Sequence, residues 1–220
     1  MGLTERRGGW DTILPFVVSG RRHPEGSGAG EGAMFPDLFR DDVFRIETRR
    51  LWLRWPTARD AETLRRLAAD PEVGATMAGT PGLPDRANED AFIVALRAAN
   101  AAGTGLTLAL CERARPGRPL GLVGIGPSPG DEAGRLFGWL GRPFRGDGLM
   151  SEAAGAVVQA WFAWAGGARL DAQVGCDAPA ARRVLEKAGF VPAEADRLRL
   201  DRGRWLSGAA DERPALAAAE

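Results

Sequence analysis

A turn that contains two glycines and leads directly into an apolar helix has the clearest chemical character in this chain. Gly146 and Gly148 allow positive φ and a close approach of the backbone to a ligand, because neither carries a side chain. The helix predicted from Leu149 begins with unpaired amides and the positive end of its dipole beside this turn. Arg142 and Arg145 add positive charge. This pattern suits a diphosphate, although an ordinary strand-to-helix turn can have it too.

The composition argues against several other kinds of site. The 29 basic and 29 acidic residues balance, so net charge gives no reason to expect binding to nucleic acid or to a membrane. His23 is the only histidine, and no metal site is predicted. Two cysteines, Cys111 and Cys176, are too few for a disulfide framework. Cys176 follows a predicted strand, and with no histidine nearby in the sequence we interpret it as an inert thiol.

The expected location is the cytoplasm. No apolar run reaches the roughly 18–20 residues that are needed to span a bilayer. The apolar run at 12–18 is short, contains Pro15 and has Glu5 and Asp11 nearby, so it fits a secretory signal poorly.

One domain with two extensions is predicted. Residues 19–33 are rich in Gly, Ser, Glu and Arg, which is typical of disorder, so 1–33 is expected to be a flexible N-terminal extension. The domain is expected over 34–205. Residues 206–220 are expected to form a frayed tail.

Hydrophobic periodicity predicts an α/β protein within that domain. Period-2 alternation and short apolar runs predict strands at 51–55, 107–111, 120–125, 135–140, 168–175 and around Leu198 and Leu200. Apolar residues at helical spacing predict a helix capped by Thr57 that stops at Pro71, and further helices at 88–101, 149–165 and 178–188. Residues 72–86 are predicted to be a loop. The order β-α-α-β-β-β-α-β-α-β indicates a sheet with mixed strand directions.

Three segments in this order resemble the GNAT superfamily of acyl-CoA-dependent N-acyltransferases. Residues 145–150 resemble its Arg/Gln-x-x-Gly-x-Gly/Ala signature, and 146–153 is similar to the branch that contains the RimJ and RimL ribosomal-protein acetyltransferases. Residues 47–61 are similar to the opening strand and helix of that branch. Residues 178–190 resemble its Asn-Pro-Ala-Ser-x-x-Val-Leu-Glu-Lys-x-Gly-Phe ending. The resemblance covers about residues 45–200 and implies a mixed, mostly antiparallel central sheet, splayed at a cofactor cleft, with helices on both faces.

The resemblance also implies a reaction. The expected activity moves an acetyl group from acetyl-CoA, as cosubstrate, to a primary amine of a protein N-terminus or a small molecule by direct attack. The cofactor is expected between the strands at 135–140 and 168–175, and the amide near Leu140 is the implied catalytic group, which polarises the thioester carbonyl. Acceptor specificity is expected in the loop at 72–86. The implied cofactor-binding residues are Trp139, Leu140, Gly141, Arg145, Gly146, Asp147, Gly148, Leu149 and Met150.

The chain departs from the family pattern at positions where many family members carry acid–base residues. Ala178 and Ala181 replace the Asn and Ser of the ending, and Leu185 stands where many members have a tyrosine donor; this chain has no tyrosine. Met150 replaces a small residue, and Asp147 replaces a basic or amide residue. No acid or base can therefore be carried over. The alternative interpretation is a GNAT-like domain that binds acyl-CoA, or a protein partner, with little or no transfer. Whether the protein is a monomer or a homodimer stays open.

Overall fold

The structure is a computed structural model that describes residues 45–76, 89–128, 133–175, 178–194 and 196–211. Its eight strands are β1 (Arg45–Glu47), β2 (Leu51–Arg54), β3 (Leu106–Glu112), β4 (Pro119–Pro127), β5 (Gly134–Leu140), β6 (Arg169–Gln173), β7 (Val191–Glu194) and β8 (Arg197–Asp201). The α-helices of the described segments are α1 (Ala61–Ala68), α2 (Pro71–Thr76), α3 (Glu89–Ala101), α4 (Leu149–Ala163), α5 (Pro179–Lys187) and α6 (Arg202–Asp211). The extension expected at 1–33, with His23, and Cys176 lie outside the described residues.

The strands form a single open sheet in the order β1-β2-β3-β4-β5-β6-β8-β7. Neighbours along the sheet are antiparallel except β5 and β6, which are parallel. A parallel pair needs a crossover connection, and α4 supplies it between β5 and β6. The predicted fold class, a mixed and mostly antiparallel sheet, is confirmed.

Two hydrophobic clusters cover the two faces of the sheet, because successive side chains of each strand alternate between faces. One cluster joins α4 and α5 to the sheet and includes Leu108, Leu110, Leu136, Leu140, Val157, Phe162 and Leu170. The other joins α1 and α3 to the sheet and includes Leu64, Phe92, Leu96, Leu122 and Trp139. Helices therefore lie on both faces, as expected.

Several element boundaries differ from the predictions. The short strands β1 and β7 were not predicted, because three or four residues carry too little period to read. The expected loop at 72–86 begins inside α2: Pro71 stands at the first helical position, and the Asp70 carboxylate accepts a hydrogen bond from the Glu72 amide at 2.9 Å. Residues 77–88 of that loop lie outside the described residues.

The C-terminal boundary also differs. Helix α6 runs to Asp211, so the domain edge that was expected between 205 and 206 falls inside a helix. Trp205 anchors this helix by stacking on Phe162 of α4 with ring centroids 5.3 Å apart. Among the helices described, none is both long and apolar enough to cross a membrane.

Candidate functional site

The sheet opens beside the second half of β5. Strand β4 pairs with β5 along its whole length, from Gly134 to Leu140. Strand β6 pairs with it only at Gly134, Arg135 and Leu136. From Phe137 onward one edge of β5 therefore has no partner strand among the described residues, and its backbone polar groups on that edge are available to a ligand.

Alternation along β5 decides which backbone groups face this opening. The Gly141 amide donates to the Leu120 carbonyl at 2.9 Å, across the β4 edge. In an antiparallel pair the groups of successive residues point to opposite edges, so those of Trp139 face β4 and those of Gly138 and Leu140 face the opening. The Leu140 carbonyl accepts a hydrogen bond from Arg145 Nε at 3.1 Å. The Leu140 amide faces the open edge, where no strand of the described residues pairs with it.

The glycine turn at the end of β5 has the shape of an anion site. A single 3₁₀ turn at Arg142–Phe144 leads into Gly146 and Gly148, with φ of 97° and 73°. A side chain at either position would strain the backbone, which explains the two glycines. The first hydrogen bond of α4 runs from the Glu152 amide to the Gly148 carbonyl at 3.1 Å. In the part of the chain that the structure describes, no backbone carbonyl accepts from the amides of 146–151.

A carboxylate in the first turn of α4 clamps this turn to the hairpin between β1 and β2. Glu152 accepts hydrogen bonds from the Thr48 hydroxyl at 2.6 Å, the Arg50 amide at 2.8 Å and Arg50 Nε at 2.7 Å. Arg50 Nη1 also donates to the Asp147 carbonyl at 2.8 Å. Glu152 is therefore a structural clamp, and Arg50 is a site residue that the sequence analysis missed.

These contacts keep Glu152 ionised. Burial alone would raise the pKa of its carboxyl, but the hydrogen bonds from Thr48 and Arg50 and the charge of Arg50 outweigh burial and lower it. The side chain is only 16% exposed, so the ion pair is poorly screened by solvent. The turn is thus held by a charged, hydrogen-bonded contact rather than by packing alone.

The two arginines of the turn have weak partners. Arg142 Nε and Arg145 Nη1 each lie 3.8 Å from the Glu72 carboxylate of α2. Glu72 is 59% exposed, and exposed ion pairs of this length contribute little to stability. Arg142 can therefore turn toward a bound anion at small cost, and Arg145 can offer Nη1 while its Nε keeps the hydrogen bond to the Leu140 carbonyl.

Some of the other expected cofactor-binding residues lie at the opening of the sheet, whereas the side chains of others are buried in the two hydrophobic clusters. The Trp139 indole is buried against α1 and α3, and the Leu149 side chain is buried beneath α4. Asp147 is exposed and contributes its carbonyl to the contact with Arg50. Met150 lies over Gly138, since its Sδ and Cε are both 3.3 Å from the position of a Cβ on that glycine. The thioether therefore lies against β5 beside the unpaired edge.

The described residues place no evident acid or base at the opening. Ala178, which precedes α5, and Ala181 on α5 are half-buried, Leu185 is buried, and none of the three can transfer a proton. Cys111 lies in the core, where burial raises the pKa of its thiol to about 11, so it stays protonated and unreactive at neutral pH. No group of metal-ligating side chains occurs within the described segments.

Comparison with known proteins gives the family. Residues 50–191 match the sequence model of the Acetyltransferase (GNAT) domain. No curated protein matches the chain significantly. Among solved structures, a Vibrio cholerae protein proposed to be a ribosomal-protein-serine acetyltransferase has 19% identity and a TM-score of 0.62, over 73% of this chain and 98% of that one.

Two further solved structures share the fold. RimJ of Mycobacterium smegmatis, in complex with CoA-disulfide, has 18% identity and a TM-score of 0.52, over 73% of this chain and 89% of that one. Spermidine N-acetyltransferase of Vibrio cholerae, in complex with CoA and spermine, has 13% identity and a TM-score of 0.59, over 71% of this chain and 98% of that one. The family match covers well over half of the chain and agrees with the open sheet and its glycine turn, so this protein belongs to the GNAT acetyltransferase family and has RimJ-like structural neighbours, as its sequence predicted.

Proposed function

We propose that this protein is an N-acetyltransferase that moves an acetyl group from acetyl-CoA to a primary amine, either a small molecule or a peptide N-terminus. The observation that carries the proposal is the unpaired edge of β5, which ends directly in the glycine turn. An extended pantetheine arm can pair with the free edge as a strand would. The diphosphate then reaches the amides of 146–151 at the start of α4. The family match supports the same cosubstrate.

The proposed reaction uses the backbone amide of Leu140 as a hydrogen-bond donor. The neutral amine attacks the thioester carbonyl carbon, a C–N bond forms, and negative charge develops on the carbonyl oxygen. The Leu140 amide at the open edge is the group that would stabilise this oxyanion. Collapse of the intermediate breaks the C–S bond and expels the thiolate of coenzyme A. The proton lost by the amine passes to water, because Ala181 and Leu185, at the positions where the family resemblance implies a proton donor, cannot take part.

The remaining site residues position the substrate. Arg142 and Arg145 can exchange their weak contacts with Glu72 for the diphosphate. Arg50 and Glu152 hold the turn in its anion-binding shape before the ligand arrives. Met150 and Gly138 shape the edge along which the pantetheine arm would lie. Preorganisation and orientation of this kind can account for much of the rate enhancement without an acid or base.

The second candidate is a GNAT-like module that binds acyl-CoA with little transfer. The absence of a proton donor among Ala178, Ala181 and Leu185 of α5 favours it. The two candidates share the cosubstrate site and differ only in turnover.

A two-step measurement separates them. Calorimetry with acetyl-CoA tests the site, and release of free thiol in the presence of a panel of amines tests transfer. Binding with release of thiol supports the transferase, whereas binding without release for any amine supports the module. Failure to bind acetyl-CoA would exclude both.

A further inference from the structure

The face of β5 that α4 does not cover carries a buried donor that has no hydrogen-bond acceptor within the described segments. Arg135, Phe137 and Trp139 point to this face, because Leu136 and Leu140 point into the cluster under α4. Arg135 is half-buried, and its Nε is buried without a hydrogen-bond partner. A buried donor left unsatisfied is costly, so this face is better suited to a ligand that brings acceptor atoms.

The nearest carboxylate does not satisfy Arg135. Asp171 is its register partner on β6 and lies on the same face. That carboxylate is buried and is already held by Arg199 at 3.1 Å and by Arg169 at 3.6 Å. Asp201, the register partner of Arg169, also lies on this face, so Arg135, Arg169 and Arg199 share two acids and the local charge stays positive. Among the described residues Arg135 therefore has no ion-pair partner, and it is partly shielded from water.

Arg135 lies on the side of the sheet from which the acceptor of the proposed reaction would approach. It lies at the last residues where β5 and β6 still pair, directly before the sheet opens. Helices α4 and α5 cover the opposite face, whereas α1 and α3 lie over β3 and β4 on this face. Because the proposed diphosphate site is at the start of α4, acetyl-CoA would occupy the α4 side of the opening and the acceptor would approach from the Arg135 side. The Cα atoms of Arg135 and Gly138 are about 10 Å apart along the strand, within reach of a ligand as long as a dipeptide.

We infer that Arg135 binds an anionic oxyacid group on the acceptor, so that the preferred amine carries a carboxylate or a phosphate a few bonds from the reacting nitrogen. This inference rests on the proposed transferase function and adds the chemical class of its acceptor. Arginine matches both groups, because its N–H donors can bind two oxygens at once. The amine nitrogen would lie at the open edge near Gly138 and Leu140, with the acidic group at Arg135.

Matched dipeptide amides test the inference on the full-length protein. Alanyl-glutamate amide, alanyl-glutamine amide and alanyl-phosphoserine amide share the reacting amine and differ in the second side chain. For the wild type we expect kcat/KM to be ~10- to 100-fold higher for an acidic peptide than for the glutamine peptide, mostly through KM. Comparison of the glutamate peptide with the phosphoserine peptide shows whether a carboxylate or a phosphate is preferred. Arg135→Gln should remove the preference, Arg135→Lys should restore part of it, and Arg183→Gln on the exposed face of α5 should leave it unchanged.

Binding measurements keep the test decisive if turnover is slow. Calorimetry of each peptide with the CoA-saturated protein should show the same order of affinities and the same effect of Arg135→Gln. Equal affinity for the acidic and glutamine peptides in the wild type would overturn the inference, as would a preference that survives Arg135→Gln. Acetyl-CoA binding is measured first on every variant. A wild type that does not bind acetyl-CoA would instead contradict the proposed function.

Discussion

Arg50 donates a hydrogen bond from Nη1 to the carbonyl of Asp147 at 2.8 Å, which ties the hairpin between β1 and β2 to the glycine turn. The same guanidinium donates from Nε to Glu152 at 2.7 Å. A hypothetical Cβ on Gly148 would lie 3.7 Å from Nη2 of Arg50, so the side chain lies against the turn itself. One arginine on the hairpin therefore fixes both ends of the segment that presents the amides.

Arg50→Ala should weaken acetyl-CoA binding by ~10-fold or more, because the loss of charge-assisted hydrogen bonds releases the turn. Arg50→Lys should lose less, since one donor can still reach Glu152 or Asp147. Pantetheine, which lacks phosphate, should bind both variants as it binds the wild type. Calorimetry with the two ligands measures these effects.

Arg49→Ala is the matched control, because Arg49 is the exposed neighbour on the same hairpin. Equal losses of pantetheine and acetyl-CoA affinity in Arg50→Ala would indicate general damage to the site and contradict a specific role in the turn.

Gly148→Arg should reduce acetyl-CoA affinity at least ~10-fold, since a side chain at φ of 73° strains the backbone and fills the approach to the amides. Gly117→Arg, in the turn between β3 and β4, is the control, because a Cβ there meets no atom within 4 Å. Calorimetry on the two variants is the measurement. Wild-type affinity in Gly148→Arg would place the diphosphate elsewhere.

Glu152→Gln should destabilise the protein by about 1–3 kcal/mol at pH 7, because charge-assisted hydrogen bonds from Thr48 and Arg50 are lost or weakened. The pKa of Glu152 is lower in the folded protein than in the unfolded chain. Its ionisation therefore adds stability above the unfolded pKa of ~4.3, and that contribution is lost as pH falls through the lower folded value. The difference between variant and wild type should shrink below about pH 4.

Urea denaturation of both proteins across this pH range measures that difference. Glu62→Gln on the exposed side of α1 is the control and should change stability little at any pH. A pH-independent penalty in Glu152→Gln would mean that ionisation of Glu152 adds nothing to the clamp.

The parts of the site that the sequence predicts are those encoded by neighbouring residues. The glycine pair and the start of α4 follow from local rules on φ and apolar period, and the structure has both. The contact between Arg50 and Glu152 joins residues 102 positions apart, and no local pattern encodes such a pairing. Only the family resemblance could connect those segments, because it covers both ends of the contact.

The opening of the sheet shows the same limit. Period-2 alternation predicts a strand at 135–140 but carries no information about where a neighbouring strand stops pairing. The end of pairing after Leu136 and Ala172 depends on the divergence of β5 and β6, which is a property of the whole sheet. The edge strand β1 was missed for a related reason: its three residues are defined by pairing with β2.

Any transferase activity should rise with pH and show no descending limb near pH ~8–9, because no enzyme acid is required. A primary amine such as that of lysine has a pKa near 10.4 in water, so the reactive neutral fraction grows as pH rises. The leaving thiol has a pKa of about 8.5, and its thiolate can depart without a protonated side chain. Ala178 before α5, and Ala181 and Leu185 on it, cannot supply a proton, and the chain contains no tyrosine.

Ala181→Ser adds the group that the family resemblance implies at this position. Ala181 is half-buried on α5 and packs against the cluster under α4, so a hydroxyl there can reach the opening only if this side of the helix faces the leaving sulfur. A modest increase in kcat at neutral pH, with KM for acetyl-CoA unchanged, would indicate that it does. The measurement is the pH dependence of thiol release for both proteins with one amine. A bell-shaped profile in the wild type would contradict the absence of an enzyme acid, and Cys176→Ala would then test the remaining thiol.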